Sequence, residues 1–222
     1  MRIKVCGLTI VDQFLQLDKL GIELGGFIFY PKSPRYVFNH LNAKDIKNLK
    51  GESINKVGVF VNESIEDVLK IVDDCGISIV QLHGDETPHY CEKIAEYVSV
   101  IKAFRLRDED DVLWKIKDYR DVADMFLFDT ATAGYGGSGQ LFDWNILKGL
   151  SFNKPFLLSG GIGIDDLDKI HHFIQDNVSD NLFALDINSK FEIKPGVKNI
   201  ELIEKFIAQS VNLKSSIKET NK

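Results

Sequence analysis

The stretch Arg2-Ile-Lys-Val-Cys-Gly-Leu-Thr9 decides how the rest of the chain is read. Its β-branched, alternating residues make Arg2 to Cys6 a strand, and Gly7 ends it. Successive strand side chains point to opposite faces, so Arg2, Lys4 and Cys6 share one face while Ile3 and Val5 share the other. Cys6 then has two readings. It is a reactive thiol whose thiolate is favoured by Lys4 one pleat away, or it is a small inert core residue beside a lysine.

Outward from this strand the chain alternates between two periods. Apolar, β-rich runs at residues 24–30, 57–61, 78–83, 100–104, 125–129, 155–159 and 182–186 read as seven further strands. Between them lie segments of helical spacing. One starts near Thr9 and stops at Gly21, and another covers residues 41–49. Ser64 and Asp67 form a capping-box-like start for Ile65, Val68, Leu69, Val72 and Cys75. Thr87-Pro88 caps a helix whose stripe is Cys91, Ile94, Ala95 and Val98. Ile164, Leu167, Ile170 and Ile174 line another, and Ile200, Ile203 and Ile207 mark the last. Cys75 and Cys91 thus fall on core-facing helix stripes. The acidic run Asp108 to Asp111 suits a helix N-terminus. Eight strands alternating with helices give the α/β class with parallel pairing. In a chain of this length that is a single (β/α)8 TIM barrel over residues 1–210, followed by a polar tail over residues 211–222, with an open doubly wound sheet as the alternative.

The 222 residues are 44% hydrophobic and 27% charged, which is material for one globular domain with a large core. A net charge of −6, with no cluster of Lys and Arg, argues against a nucleic-acid-binding surface. No apolar run approaches the roughly 20 residues that span a bilayer, and the N-terminus lacks a signal peptide's pattern. Three cysteines without metal spacing point to a reduced, cytoplasmic protein with no structural metal. His171-His172 has no third ligand in register.

In a barrel the chemistry gathers where the strands end. Here those ends carry Cys6, Arg35, His83, Asp129, Gly160-Gly161 and Asp186. Gln81 shares the face of His83, and Lys102, like Lys4, is expected to point into the barrel, where carboxylates are its available partners. Asp129 closes the apolar run Met125-Phe-Leu-Phe128 and reads either as a proton donor or as an ordinary turn aspartate. Gly160-Gly161 before a helix, with Asn188-Ser189 after the eighth strand, fits a phosphate site built from backbone N–H groups. Gly134 to Gly139 lacks a P-loop lysine and reads as a substrate-covering loop.

These residues together resemble the phosphoribosylanthranilate isomerase family of tryptophan biosynthesis. The resemblance runs through Lys4-Val-Cys-Gly-Leu-Thr9, Phe29-Tyr-Pro-Lys-Ser-Pro-Arg-Tyr36, Val80-Gln-Leu-His-Gly84, Phe128-Asp-Thr130, Tyr135-Gly-Gly-Ser-Gly139, Leu158-Ser-Gly-Gly161 and Pro195-Gly-Val-Lys198. It implies a cofactor-free barrel, monomeric or homodimeric, acting on a small phosphosugar–anthranilate by an Amadori rearrangement. By the same resemblance Asp129 is the general acid, Cys6 the general base, and Arg35 the ligand of the anthranilate carboxylate. Gly160, Gly161, Asn188 and Ser189 would bind the phosphate, with Asp186 and His83 lining the site. One departure stands out. The family usually has glycine where this chain has Lys190, so the eighth loop either needs no left-handed residue there or is strained. A related phosphosugar barrel enzyme, or a non-catalytic phosphosugar-binding barrel, would carry a similar rim.

Overall fold

β1 (Arg2–Cys6) has Ile3 and Val5 on one face and Lys4 and Cys6 on the other, and a fold must cover both. The computed structural model describes residues 1–131, 143–175 and 181–220, with side chains up to residue 210. It covers both faces by closure. β1 is followed by β2 (Leu24–Ile28), β3 (Asn55–Phe60), β4 (Ile79–Leu82), β5 (Ser99–Leu106), β6 (Met125–Thr130), β7 (Phe156–Leu158) and β8 (Leu182–Ile187). Each pairs in parallel with the next, and β8 returns to β1 to close the barrel. The helices between them are α1 (Val11–Lys19), α2 (Ala43–Asn48), α3 (Ile65–Cys75), α4 (Pro88–Ala95), α5 (Val112–Ile116) and α6 (Leu167–Ile174), with α7 (Ile200–Thr220) last. The expected barrel is the observed one, and the open sheet is excluded.

Local chemistry sets the helix starts. Asn42 and Asp45 form a capping box at α2, the Ser64 side chain accepts from the Asp67 N–H at α3, and Thr87 with Pro88 caps α4. Asp111 does the same for α5, so the end of the acidic run is a helix cap. Two findings differ from the expected βα series. A two-stranded hairpin, β9 (Glu192–Lys194) with β10 (Val197–Lys198), comes after β8. α7 also continues as helix to Thr220, through the stretch the sequence assigns to a polar tail. The expected covering loop Gly134 to Gly139 lies outside the described residues.

Alternation divides the core in two. Leu24, Val57, Ile101, Ala103, Leu127, Leu157 and Ala184 fill the barrel interior. Ile3, Val5, Phe27, Phe126 and Phe128 face the helices. There Phe128 packs with ring centroids 4.9 Å from Phe152 and 5.4 Å from Phe156, and each fully buried phenylalanine of this kind contributes about 2–3 kcal/mol. Cys75 and Cys91 are fully buried in this outer layer, where desolvation pushes their thiols up to about 11 and about 12. Both are packing residues.

Lys102 corrects the sequence reading. Ile101 and Ala103 belong to the interior, so Lys102 turns outward to the helix layer. The run Val100 to Phe104 is apolar on both faces around this lysine, so its phase is not readable from pattern. The buried ammonium binds Glu86 Oε2 at 2.8 Å and the carbonyls of Gly84 at 2.8 Å and Leu82 at 3.3 Å. Glu86 in turn accepts N–H groups from Gly84 and Asn62, tying the loops after β3 and β4 together. Lys102→Met leaves the Glu86 charge buried without its cation. It is expected to lower unfolding free energy by about 3 kcal/mol in urea titrations, and a change under about 1 kcal/mol would show that the pair is dispensable.

Candidate active site

The C-terminal ends of the strands open on one cavity, and the sequence placed nine residues there. All nine line it: Cys6, Arg35, His83, Asp129, Gly160, Gly161, Asp186, Asn188 and Ser189. They arrive from six different strand ends, so the barrel's closure is what assembles them.

Cys6 ends β1 opposite Gly26 of β2, where a Cβ would stand 2.9 Å from its Sγ. Glycine at that register gives the thiol its room. Burial pushes the Cys6 thiol up from its ordinary range, with Lys4 pulling against that and Asp186 opposing Lys4. The sequence expectation of a thiol lowered by Lys4 is therefore corrected. The physical reason is burial first, which outweighs the pull of Lys4, and then Asp186, whose Oδ2 lies 2.8 Å from Lys4 Nζ with side chains 5% and 0% exposed and so offsets part of the lysine's charge. Asp186 and Lys4 are opposite each other in the β1–β8 register. The other carboxylate oxygen, Asp186 Oδ1, and the Gln81 Oε1 beside the cavity are buried without hydrogen-bond partners among the described residues. They are the acceptors that a ligand's hydroxyl groups can use.

Asp129 belongs to a second cluster. Its Oδ1 accepts the Thr130 N–H at 2.8 Å, and its Oδ2 lies 3.2 Å from His83 Nε2. His83 Nδ1 is 2.8 Å from Gln81 Nε2, so a histidine and an amide hold the carboxyl from β4. The loop after β7 presses against this cluster. Gly160 has φ +94°, and a Cβ there would stand 2.3 Å from Thr130 Oγ1 and 3.0 Å from Asp129 Oδ1. Gly161 is next at φ +66°, so the turn demands glycine twice. A 3₁₀ turn at Ile164–Asp166 then leads into α6.

The loop after β8 forms the opposite wall, with Asn188 preceding a 3₁₀ turn at Ser189–Phe191. Lys190 lies in that turn. Among described residues other than glycine, only Asn62 and Asn153 have positive φ, so Lys190 carries no left-handed strain. Its stem is exposed and reaches within 3.6 Å of where a Cβ of Gly163 would be, across from the loop after β7.

Arg35 reaches the cavity rim from the loop after β2 and is gripped by Glu192. Its Nε donates to both carboxylate oxygens at 2.9 and 3.0 Å and its Nη2 to Oε2 at 2.7 Å. Glu192 also accepts from Lys198 Nζ at 2.8 Å and from the Gly196 N–H at 3.0 Å. These donors hold the Glu192 carboxyl below the usual range despite its burial. Burial in turn pulls the Lys198 ammonium below the usual lysine range, with Glu192 holding it back.

A family model described as N-(5'-phosphoribosyl)anthranilate (PRA) isomerase matches residues 3–209. The chain belongs to the phosphoribosylanthranilate isomerase family. A relative of that name from Parabacteroides distasonis is 39% identical over 210 residues, 94% of this chain and 93% of its own. The crystal structure of phosphoribosyl anthranilate isomerase from Thermotoga maritima is 34% identical with a TM-score of 0.82, covering 96% of this chain and 99% of that one. Another isomerase of the family, solved in complex with reduced 1-(o-carboxyphenylamino)-1-deoxyribulose 5-phosphate, is 31% identical with a TM-score of 0.77, covering 96% and 99%. The protein is thus an isomerase of tryptophan biosynthesis acting on phosphoribosylanthranilate.

Three residues in or next to the cavity were given no role by the sequence reading. Gln81 carried a signal, since alternation put it on the face of His83. Lys198 closes the family-like run Pro195-Gly-Val-Lys198 and so was visible as a match without a role. Glu192 matches the glutamate that usually closes the family's run after Asp186, but its role was not visible because its partner Arg35 is 157 positions away. Glu192→Gln leaves two buried cations short of their counter-charge and is expected to cost about 3 kcal/mol at neutral pH. A carboxyl with a lowered folded pKa adds stability that is complete above its ordinary 4.5 and fades as pH falls through the lowered value. The variant's stability should therefore approach that of wild type below that window in acid denaturation; an undiminished gap at low pH would contradict this role.

Proposed function

We propose that the cavity converts N-(5'-phosphoribosyl)anthranilate into 1-(2-carboxyphenylamino)-1-deoxyribulose 5-phosphate by an Amadori rearrangement, with Asp129 as general acid and Cys6 as general base. The observation that carries this reading is that a thiol and a carboxyl from different strands line one cavity between a glycine turn and an arginine. Asp129 gives a proton to the furanose ring oxygen, the C1'–O bond breaks, and the nitrogen lone pair forms the Schiff base. Cys6 as thiolate removes the C2' proton, and the electron pair moves to the iminium nitrogen to give the enolamine. That species tautomerises to the ketone, Cys6 releases its proton to the solvent pool, and Asp129 takes one back from it. Substrate and product are isomers, so the cycle consumes no other reactant.

The remaining residues fit the substrate's two anions. Arg35 uses its Nε and Nη2 on Glu192, and the donors it has left can bind the anthranilate carboxylate at the rim. The phosphate is assigned to Gly160, Gly161, Asn188 and Ser189, where glycines without side chains expose backbone N–H groups and the turn leading to α6 adds its partial positive charge. Asp186 Oδ1 offers an acceptor to a ribose hydroxyl. His83 stands 3.2 Å from Asp129 Oδ2 and orients the acid. A base that must stay an unoxidised thiol suits the reducing cytoplasm.

The test is a fluorescence assay tracking loss of freshly made phosphoribosylanthranilate. Cys6→Ser and Asp129→Asn are each expected to lower kcat by at least about a hundredfold. Because burial raises the Cys6 thiol, its thiolate is a minor species at neutral pH. The wild-type kcat/KM should therefore rise with pH across the range from about 6 to 9. Full activity in either variant, or a flat profile, would remove the corresponding role.

A further inference from the structure

Cys6 is faced by two groups of buried charges whose sums differ. On one side Lys4 from β1 and Asp186 from β8 pair at 2.8 Å, one cation with one anion. On the other side Glu192 from β9 is shared between two cations, Arg35 from the loop after β2 and Lys198 from β10. That group has one positive charge to spare. His83 and Asp129 form a further pair across the cavity, 3.2 Å apart. The thiol thus has a matched pair beneath it and an unmatched cation beside it.

Gly7, the residue after Cys6, shows how near that cation is. A Cβ on Gly7 would stand 3.5 Å from Lys198 Nζ, 2.9 Å from Asn188 Oδ1 and 2.7 Å from Arg35 Cδ. Gly7 has φ +79° and its N–H donates to the Gly26 carbonyl at 2.9 Å, so the chain turns tightly here to make way for these side chains. Lys198 is fixed in turn. Its side chain is 0% exposed, and its ammonium donates to Asn188 Oδ1 and Glu192 Oε1, both at 2.8 Å. Its backbone is clamped to α1, with Gln13 donating to the Lys198 carbonyl and accepting its N–H.

We propose that Lys198 is the positioning residue for the Cys6 thiolate, its ammonium supplying the unmatched positive charge that the negative sulfur completes. This rests on the reading of Cys6 as the base and deepens it. With the thiolate formed, three cations (Lys4, Arg35, Lys198) face three anions (Asp186, Glu192, Cys6), and the cluster is neutral. Lys4, the neighbour that strand alternation suggests, also pulls on the thiol, but Asp186 pairs with it and pushes the other way. Arg35 is spread over Glu192 and turned to the rim, so Lys198 is the cation that adds to the pull of Lys4 on the sulfur. The same arithmetic makes Glu192 act with the opposite sign, since removing its charge leaves more positive charge near the thiol.

The test reads the thiol itself in the ligand-free enzyme, by iodoacetamide alkylation of Cys6 against pH, with Cys6→Ser as the blank. Cys75 and Cys91 are fully buried and their thiols are pushed to about 11 and about 12, so they stay silent. Lys198→Met is expected to slow alkylation at pH 7 by at least about tenfold and to move the acid limb of kcat/KM to higher pH, since loss of a cation disfavours the thiolate. Lys198→Arg should restore most of the rate, and Glu192→Gln should speed alkylation. Thermal melting of each variant identifies any that fails to fold, and Glu192→Gln and Lys198→Arg keep the sign test intact if Lys198→Met is one of them. If Lys198→Met melts earlier but alkylates as wild type does, or if Glu192→Gln slows the reaction, Lys198 is structural and the inference falls. If Cys6→Ser retains isomerase activity, the base reading falls while the alkylation result still reports on Lys198.

Discussion

The barrel closes where Lys4 meets Asp186, and the geometry of the site depends on that contact. Both are buried, and they are register partners across the β1–β8 seam. A charged pair in such a place is a doubtful source of stability, because desolvating two ions offsets much of their attraction. Its effect is on register. A slip of one residue in either strand would turn one of the two charges toward the helix layer and leave the other alone in the barrel. Removing one partner of a buried pair is far more costly than replacing both, so the seam has one good alignment. That alignment sets Cys6 at the cavity and brings Asn188 and Ser189 of the next loop against it.

A second tether works outside the barrel. Arg35, Glu192 and Lys198 join the loop after β2 to the β9–β10 hairpin, and Lys198 adds Asn188 from the loop after β8. Thr9 binds the Gly196 carbonyl at 2.6 Å, so the loop after β1 is tied to the same hairpin. The loops after β1, β2 and β8, which follow neighbouring strands of the barrel, are thus held together by side chains whose charges also bear on the thiol. The loops after β3 and β4 have their own version in Glu86 and Lys102. One rim is therefore built from two local ion networks, and the glycine turn at Gly160 packs against Asp129.

How much of this was legible depends on the range of the interaction. The eight strands, the helix caps at Ser64 and Thr87, and the outward turn of Phe126 and Phe128 are written in periods of two and of 3.6 residues, and the structure obeys them. Cys6 and Asp129 were legible for the same reason, since a strand's end and its alternation fix where a side chain goes. Lys102 was not, because its strand is apolar on both faces and alternation there has no contrast to read. Pairing was less legible still. Lys4 with Asp186 and Arg35 with Glu192 are separated by 182 and 157 positions, and only the closed barrel brings them together.

The Cys6 thiol illustrates the consequence of unseen pairing. A lysine one pleat from a cysteine argues for an activated thiolate only if the lysine's charge is free, and the sequence does not say whether it is. In the fold the near lysine is matched by a carboxylate from the last strand of the barrel, and burial dominates the sulfur. The compensating cation comes from a residue 192 positions further along the chain, on a hairpin that no periodicity announced. Charge at a site is therefore a property of the closed network and not of neighbours along the chain. In this barrel the network is closed by the loops after β1, β2 and β8, so the charge around Cys6 is set by the same contacts that hold those loops in place.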